Sequence, residues 1–334
     1  MVPIAGTMSD SPTSSVPPAS PAGEAVVRHG LISRADFMTL TKARLSALVV
    51  VTTFVGFWLG AGSGGFGWRM VHTIFGTTLT AFGAAVFNQL MEVDADSKMH
   101  RTASRPLPAR RIRREFAFLI GWVLSAIGLL HLGTRVNVEA AALAALTLVT
   151  YLFIYTPMKM RSTWNTLVGA VSGALPPVIG WVGAVGGADN ADQPVFKWQL
   201  FFDQPAIFLF ALMFLWQLPH FLAINWMYRE EYIRGGFVMW SNDDPSGEKT
   251  SKLAVIYSAL LALLAFHPLL AGFASPAFTV VALAHGGWLL WLALKFRQQR
   301  DRASARKLFL NTLLYLPVVL IALCLLAKIS PAIP

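Results

Sequence analysis

The chain has 334 residues, of which 55% are hydrophobic and only 13% charged, with a formal net charge of +10. A soluble chain of this length would carry far more charge on its surface, so this composition argues against one. The basic residues sit in short segments between apolar runs, with neither a basic face nor the aromatic interleaving that suits single strands, which excludes nucleic acid as a partner.

Residues 1–33 are rich in Ser, Pro and Ala, include Pro17-Pro18, and lack the apolar centre of a secretory signal. They read as a disordered tail ahead of a single membrane domain over residues 34–330. A mitochondrial transit peptide would be Arg-rich and acid-poor, whereas this stretch has only Arg28 and carries Asp10 and Glu24. A bacterial plasma membrane is the expected location.

Apolar runs then fall at about 46–66, 69–90, 114–132, 138–156, 165–186, 205–227, 252–274, 276–296 and 307–328. Each is near the length of about twenty residues that crosses roughly 30 Å of hydrocarbon as a helix. The expected fold is an all-α polytopic bundle of nine transmembrane helices. With nine crossings the termini lie on opposite sides, and the loops on the N-terminal side hold 23 lysines and arginines against four on the other. Short cytoplasmic loops retain positive charge, so the N-terminus is expected in the cytosol. Cys324 stands alone in the last run and reads as a small buried hydrophobe.

The second run ends in Asn88-Gln-Leu-Met-Glu92-Val-Asp94-Ala-Asp96, followed by Lys98, Arg101 and Arg105-Pro-Leu-Pro108. Steps of four advance about 40° around a helix, so Asn88, Glu92 and Asp96 form one slanting stripe. Asp94 joins them only if the helix ends or unwinds there. Carboxylates gathered at a membrane boundary repel one another unless a cation neutralises them, and oxygen-only ligands suit a hard ion such as Mg²⁺ that bridges to phosphates. Arg101 and Arg105 add donors shaped for a diphosphate. The arginines at 110–114 read instead as a solvated loop.

The sixth run ends in Trp216-Gln217-Leu218-Pro219-His220, then Trp226-Met-Tyr228-Arg229-Glu230-Glu231-Tyr232 and Arg234-Gly-Gly236. It emerges on the same side as the first acidic motif, so two acidic clusters face one cavity, as two metal ions flanking a diphosphate would require. His220, about two turns before that end, is the histidine best placed to contact substrate, with packing after the Pro219 kink as its other reading. His72, His131, His267 and His285 read as packing or interface residues.

These segments resemble the UbiA superfamily of intramembrane prenyltransferases and, within it, the protohaem IX farnesyltransferases. The resemblance rests on Thr41-Lys42-Ala-Arg44, on Asn88 to Asp96 with Arg101 and Arg105-Pro-Leu-Pro108, and on Tyr155-Thr-Pro157-Met-Lys159. It continues through Asn165 to Pro177 and the Trp216 to Gly236 stretch, and covers about residues 35–325. Glu92 and Glu231 stand where that family's pattern leads one to expect Asp.

The resemblance implies transfer of a farnesyl group from farnesyl diphosphate to a vinyl group of haem b, with water completing a hydroxyethylfarnesyl substituent. Haem is thus a substrate. It implies catalytic roles for Asn88, Glu92, Asp94, Asp96 and Glu231, with Mg²⁺ held by Glu92, Asp94, Asp96 and Glu231. Substrate contacts are expected from Lys42, Arg44, Arg101, Arg105, Lys159, His220, Tyr228, Arg229 and Glu230. Other readings are a related prenyltransferase with a quinone-precursor or other aromatic acceptor, and a secondary transporter, whose midplane polar groups also break helices. Expected partners beyond the substrates are membrane lipid and proteins of haem modification or cytochrome oxidase assembly.

Overall fold

The computed structural model describes residues 32–62, 67–187 and 196–328, so the tail expected over 1–33 lies almost wholly outside the described residues. Among the described residues, nine helices are long and apolar enough to cross a membrane. They are Ala43–Ala61, Trp68–Met91, Arg114–Arg135, Val138–Met158, Asn165–Val185, Gln204–Met227, Glu248–Leu270, Pro276–Gln299 and Arg302–Leu326, called spans 1 to 9 below. The chain is an integral membrane protein of the expected all-α class, and the described residues contain no strand beyond one isolated bridge between Ala274 and Ala327.

The expected spans agree with these within five residues at either end, and the ninth begins at Arg302, five residues earlier than expected. Asp301 caps that helix by accepting the Ser304 N–H at 2.8 Å. A cap extends a helix into polar sequence that hydropathy alone assigns to the loop.

Bundle packing rests on small residues where backbones approach. Spans 1 and 5 cross at Gly56 and Gly180, where a Cβ on Gly56 would overlap the Pro177 carbonyl and one on Gly180 the Thr53 carbonyl. Spans 2 and 3 meet similarly, and a Cβ on Gly128 would lie 2.8 Å from the Thr80 backbone nitrogen. Lipid tails are as apolar as leucine, so association within a bilayer depends on such close packing more than on hydrophobic burial. Span 5 is the most enclosed of the nine and packs against spans 1, 4 and 6. Its Pro176 and Pro177, like Pro219 of span 6, lie inside a helix, which a bundle tolerates where neighbours rematch the released carbonyls.

The start of span 1 and the connections after spans 2, 4, 6 and 8 converge at one end of the bundle. The Val238 N–H donates to the Lys159 carbonyl at 2.7 Å, the His100 N–H donates to Glu231 Oε2 at 2.9 Å, and Arg302 lies 5.9 Å from the Tyr228 ring centroid. These are the lysine- and arginine-rich connections of the sequence.

The Gly180 crossing should be intolerant of bulk. Overpacking costs about 1–3 kcal/mol, so Gly180→Leu should lower the melting temperature of the detergent-solubilised protein by several degrees. Gly287→Leu, at a position where a Cβ meets nothing within 4 Å, should leave it unchanged. Equal melting temperatures for both variants would contradict the close crossing.

Candidate active site

Span 2 ends at Met91, and Glu92, at φ −102° and ψ 8°, breaks the helix before it resumes over Val93–Lys98. The break turns Asn88, Glu92 and Asp96 inward, with exposures of 0%, 7% and 1%. It does not bring in Asp94, whose side chain is 88% exposed and pairs with Arg114 at 3.1 Å. The unwinding on which Asp94 depended therefore occurs, yet Asp94 faces outward. Asp96 is anchored twice: Arg105 Nη1 donates to its Oδ2 at 2.6 Å, and Thr102 Oγ1 donates to its carbonyl at 2.8 Å. These two bonds fold the 99–105 turn back onto the carboxylate.

Lys42 reaches the same point from a strained backbone. It joins the short helix Arg34–Leu40 to span 1 in the left-handed region, at φ 47°, which costs a lysine about 1–2 kcal/mol. Gln89 holds that joint by donating to the Thr39 and Leu40 carbonyls at 2.7 and 2.9 Å. The Lys42 ammonium then donates to Asn88 Oδ1, and Asn88 Nδ2 donates to Thr156 Oγ1 at 3.1 Å. Asn88 thus acts from behind the wall, positioning Lys42 against span 4.

Lys159, just beyond span 4, donates to Glu92 Oε1 at 2.6 Å and lies 4.4 Å from the Tyr155 ring centroid. Burial alone would drive the Lys159 ammonium toward neutrality, but the Glu92 carboxylate holds its pKa above the ordinary lysine value. Burial would likewise raise the Glu92 pKa, and Lys159 and Lys42 together hold it below the usual carboxylate range. Lys42 is left with the weaker compensation: burial pushes its ammonium down to about 8, with Glu92 offsetting only part.

These groups surround the mouth of a cavity of about 410 Å³. Lys42, Glu92, Asp96, Arg101, Arg105 and Lys159 line its charged end. Tyr151, Tyr155, Phe221 and Phe237 form aromatic walls, and Val49, Ala81, Ala84 and Pro176 form apolar ones. The cavity extends to Gln217, ten residues before the end of span 6. At 1.5 Å per residue that is about 15 Å into the bundle. A wider π-helical turn over Thr150–Tyr155 carries Tyr151 and Tyr155 into the wall, and Gly169 leaves room for Tyr155, whose ring a Cβ there would meet at 2.6 Å. Asn165 ties the rim together by donating to the Ser162 and Val238 carbonyls at 2.6 and 2.7 Å.

The remaining expected residues divide between other surfaces. Tyr228, Arg229, Glu230 and Glu231 line an adjoining depression that shares Arg101 with the cavity. The two acidic segments do meet there, through the His100–Glu231 bond, but Glu231 stands on a different wall from Glu92 and Asp96 and also accepts from Arg234 at 3.1 Å. Arg44 is exposed. His220 is absent from both linings: its Nδ1 pairs with Thr312 Oγ1 at 2.8 Å and its ring stacks on Trp216, so it serves packing between spans 6 and 9. Sequence reasoning missed Tyr151, Tyr155, Gln217 and Tyr232 as wall residues. The signal was available, since Tyr151, Tyr155 and Lys159 repeat the four-residue step that revealed Asn88, Glu92 and Asp96.

Among the described residues no three His, Cys, Asp or Glu side chains are grouped closely enough to hold a metal alone. The cavity offers two carboxylate oxygen donors, Glu92 and Asp96, each paired with a nitrogen group of Lys159 or Arg105. That donor set fits Mg²⁺, which retains waters and usually takes one or two protein carboxylates plus substrate phosphates.

The family model for the UbiA prenyltransferase family matches residues 49–317. The chain is 39% identical over 294 residues to a protoheme IX farnesyltransferase from Solibacter usitatus, covering 85% of this chain and 96% of that protein. Its fold is similar to digeranylgeranylglyceryl phosphate synthase, with a TM-score of 0.70 at 14% identity over 87% of this chain and 97% of that one. It is also similar to a UbiA homolog from Archaeoglobus fulgidus solved with GPP and Mg²⁺, with a TM-score of 0.62 at 12% identity over 86% of this chain and 99% of that one. From the matched sequence, and from a charged cavity mouth built where spans 1, 2 and 4 converge, the chain belongs to the UbiA prenyltransferase family.

Proposed function

We propose that this chain transfers the farnesyl group of farnesyl diphosphate to a vinyl group of haem b, with addition of water, giving haem O and diphosphate. The observation that carries the reading is the division of one cavity into a mouth bearing two carboxylates and several nitrogen cations and an interior walled by aromatic and apolar groups. An isoprenoid diphosphate has the same division. The identity to a relative named as a protoheme IX farnesyltransferase supports haem over another acceptor.

Glu92 and Asp96 would hold Mg²⁺, which when bound neutralises and polarises the diphosphate as a leaving group. Lys42, Lys159, Arg101 and Arg105 supply the remaining positive charge around the phosphate oxygens, aimed at charge that grows as the C1–O bond breaks. The electron pair of that bond leaves with the diphosphate. The farnesyl chain lies against Val49, Ala81, Ala84 and Pro176, and burial at roughly 0.8 kcal/mol per CH₂ bounds its contribution near 12 kcal/mol.

Tyr151, Tyr155, Phe221 and Phe237 present rings to the allylic cation left behind and shield it from water. The haem vinyl group supplies the electron pair of the new carbon–carbon bond. The resulting cation beside the pyrrole takes the oxygen of water, which then loses a proton. The positive-inside bias of the sequence supports a cytosolic position for this end of the bundle, and bacterial relatives suit a plasma membrane.

Mass spectrometry of haem extracted after incubation with farnesyl diphosphate and Mg²⁺ tests the reading. The parent should yield haem O, and Asp96→Asn should reduce the rate at least a hundredfold. A parent that farnesylates a quinone precursor in place of haem, or an Asp96→Asn variant at the parental rate, would overturn it. Lys42 gives a pH test. Its ammonium is pushed down to about 8, so the protonated, diphosphate-binding form is lost as pH rises through that value. The parental kcat/KM for farnesyl diphosphate should fall above about pH 8. Lys42→Arg, which stays charged, should abolish that fall, and an unchanged alkaline limb would show that Lys42 is not its source.

A further inference from the structure

The depression beside the cavity has a volume of about 780 Å³ and lies between the segment after span 6 and the turn joining spans 8 and 9. Its wall carries four guanidiniums, those of Arg101, Arg229, Arg300 and Arg302. Among the described residues none of the four forms an ion pair with a carboxylate. Of the two carboxylates on the same wall, Glu231 is already occupied by Arg234 and the His100 N–H, and Glu230 forms an ion pair with none of the four, so the guanidiniums outnumber the carboxylates. Three of the arginines lie over aromatic faces: Arg101 and Arg302 are 5.5 and 5.9 Å from the Tyr228 ring centroid, and Arg229 is 5.9 Å from that of Trp226.

A guanidinium stacked on a ring uses its face and keeps its N–H edges for a planar oxyanion. Arg300 is also held by its backbone, which sits in the left-handed region at φ 51°, while Nε donates to the Arg297 carbonyl at 3.2 Å. Between Arg300 and Arg302, Asp301 turns back to cap span 9 and does not neutralise either neighbour. Unpaired cations gathered around one hollow attract an anion. The diphosphate has its own countercharges in the cavity, at Lys42, Lys159 and Arg105. The depression therefore suits a second anionic group, and Arg101, common to both linings, makes the two spaces adjacent.

Haem b carries two propionates along one edge and its vinyl groups on the edge away from them. We infer that this depression receives the propionates of the acceptor, with Arg300 and Arg302 as its outer clamp, so that the vinyl edge points across Arg101 into the prenyl cavity. Carboxylate recognition at the surface then selects which edge of the macrocycle meets the farnesyl cation. This rests on the acceptor proposed above.

The test compares haem b with its dimethyl ester, which lacks both carboxylates, in the parent and in the Arg300→Gln/Arg302→Gln double variant. The variant should raise KM for haem b at least tenfold and leave KM for farnesyl diphosphate unchanged. Its KM for the ester should equal the parent's, which separates lost recognition from a damaged fold. An unchanged KM for haem b, or equal rises for haem b and the ester, overturns the assignment. Absorbance titration of haem separates this pocket from the reaction itself. A parent that makes no farnesylated haem, yet binds haem b at least tenfold more tightly than the ester and loses that preference in the variant, would refute the proposed reaction while supporting the pocket.

Discussion

Four side chains at one end of the bundle are matched in two buried ion pairs, Lys159 with Glu92 and Arg105 with Asp96. Glu92 and Asp96 are almost fully buried, and Lys159 and Arg105 pair with them, each at 2.6 Å. Removing one partner of such a pair leaves an uncompensated buried charge, which costs about 3–5 kcal/mol. The surrounding architecture serves this balance. The break at Glu92 turns the carboxylates inward, the 99–105 turn returns Arg105, and the end of span 4 delivers Lys159.

The same arrangement prepares the site for an exchange of partners. In the proposed reaction Glu92 and Asp96 would turn to a divalent ion, and Lys42, Lys159, Arg101 and Arg105 would turn to the phosphate oxygens. Little reorganisation is then required during the reaction, which is the condition for electrostatic catalysis. Lys42 is the least compensated member, placed by a left-handed backbone and a buried asparagine. Strain of this kind persists where the surrounding structure enforces it, here through Gln89 and the end of the short helix Arg34–Leu40.

Much of this was legible in the sequence. Nine apolar runs gave the spans, and the four-residue step from Asn88 through Glu92 to Asp96 identified the inward stripe. The side of a helix that meets the cavity was less accessible. Gln217 and Phe221 share a stripe along the wall, whereas His220 is rotated about 100° from Phe221 and packs against span 9. Hydropathy cannot distinguish those directions in a helix that is apolar all round. Asp94 and Glu231 illustrate a related limit: acidity and proximity in sequence were visible, but the walls on which they stand depend on tertiary folding. The depression lined by Arg300 and Arg302 joins segments about seventy residues apart in sequence, beyond the reach of any local pattern.

In the proposed reaction Glu92 and Asp96 hold a divalent ion against a diphosphate. Electron paramagnetic resonance with Mn²⁺ in place of Mg²⁺ tests it directly, using a non-hydrolysable farnesyl diphosphate analogue and the phosphorus hyperfine coupling to the metal. The parent should bind Mn²⁺ tightly only with the analogue present and show that coupling, and Glu92→Gln/Asp96→Asn should lose both. Mn²⁺ bound with equal affinity and the same coupling in the double variant would place the metal elsewhere.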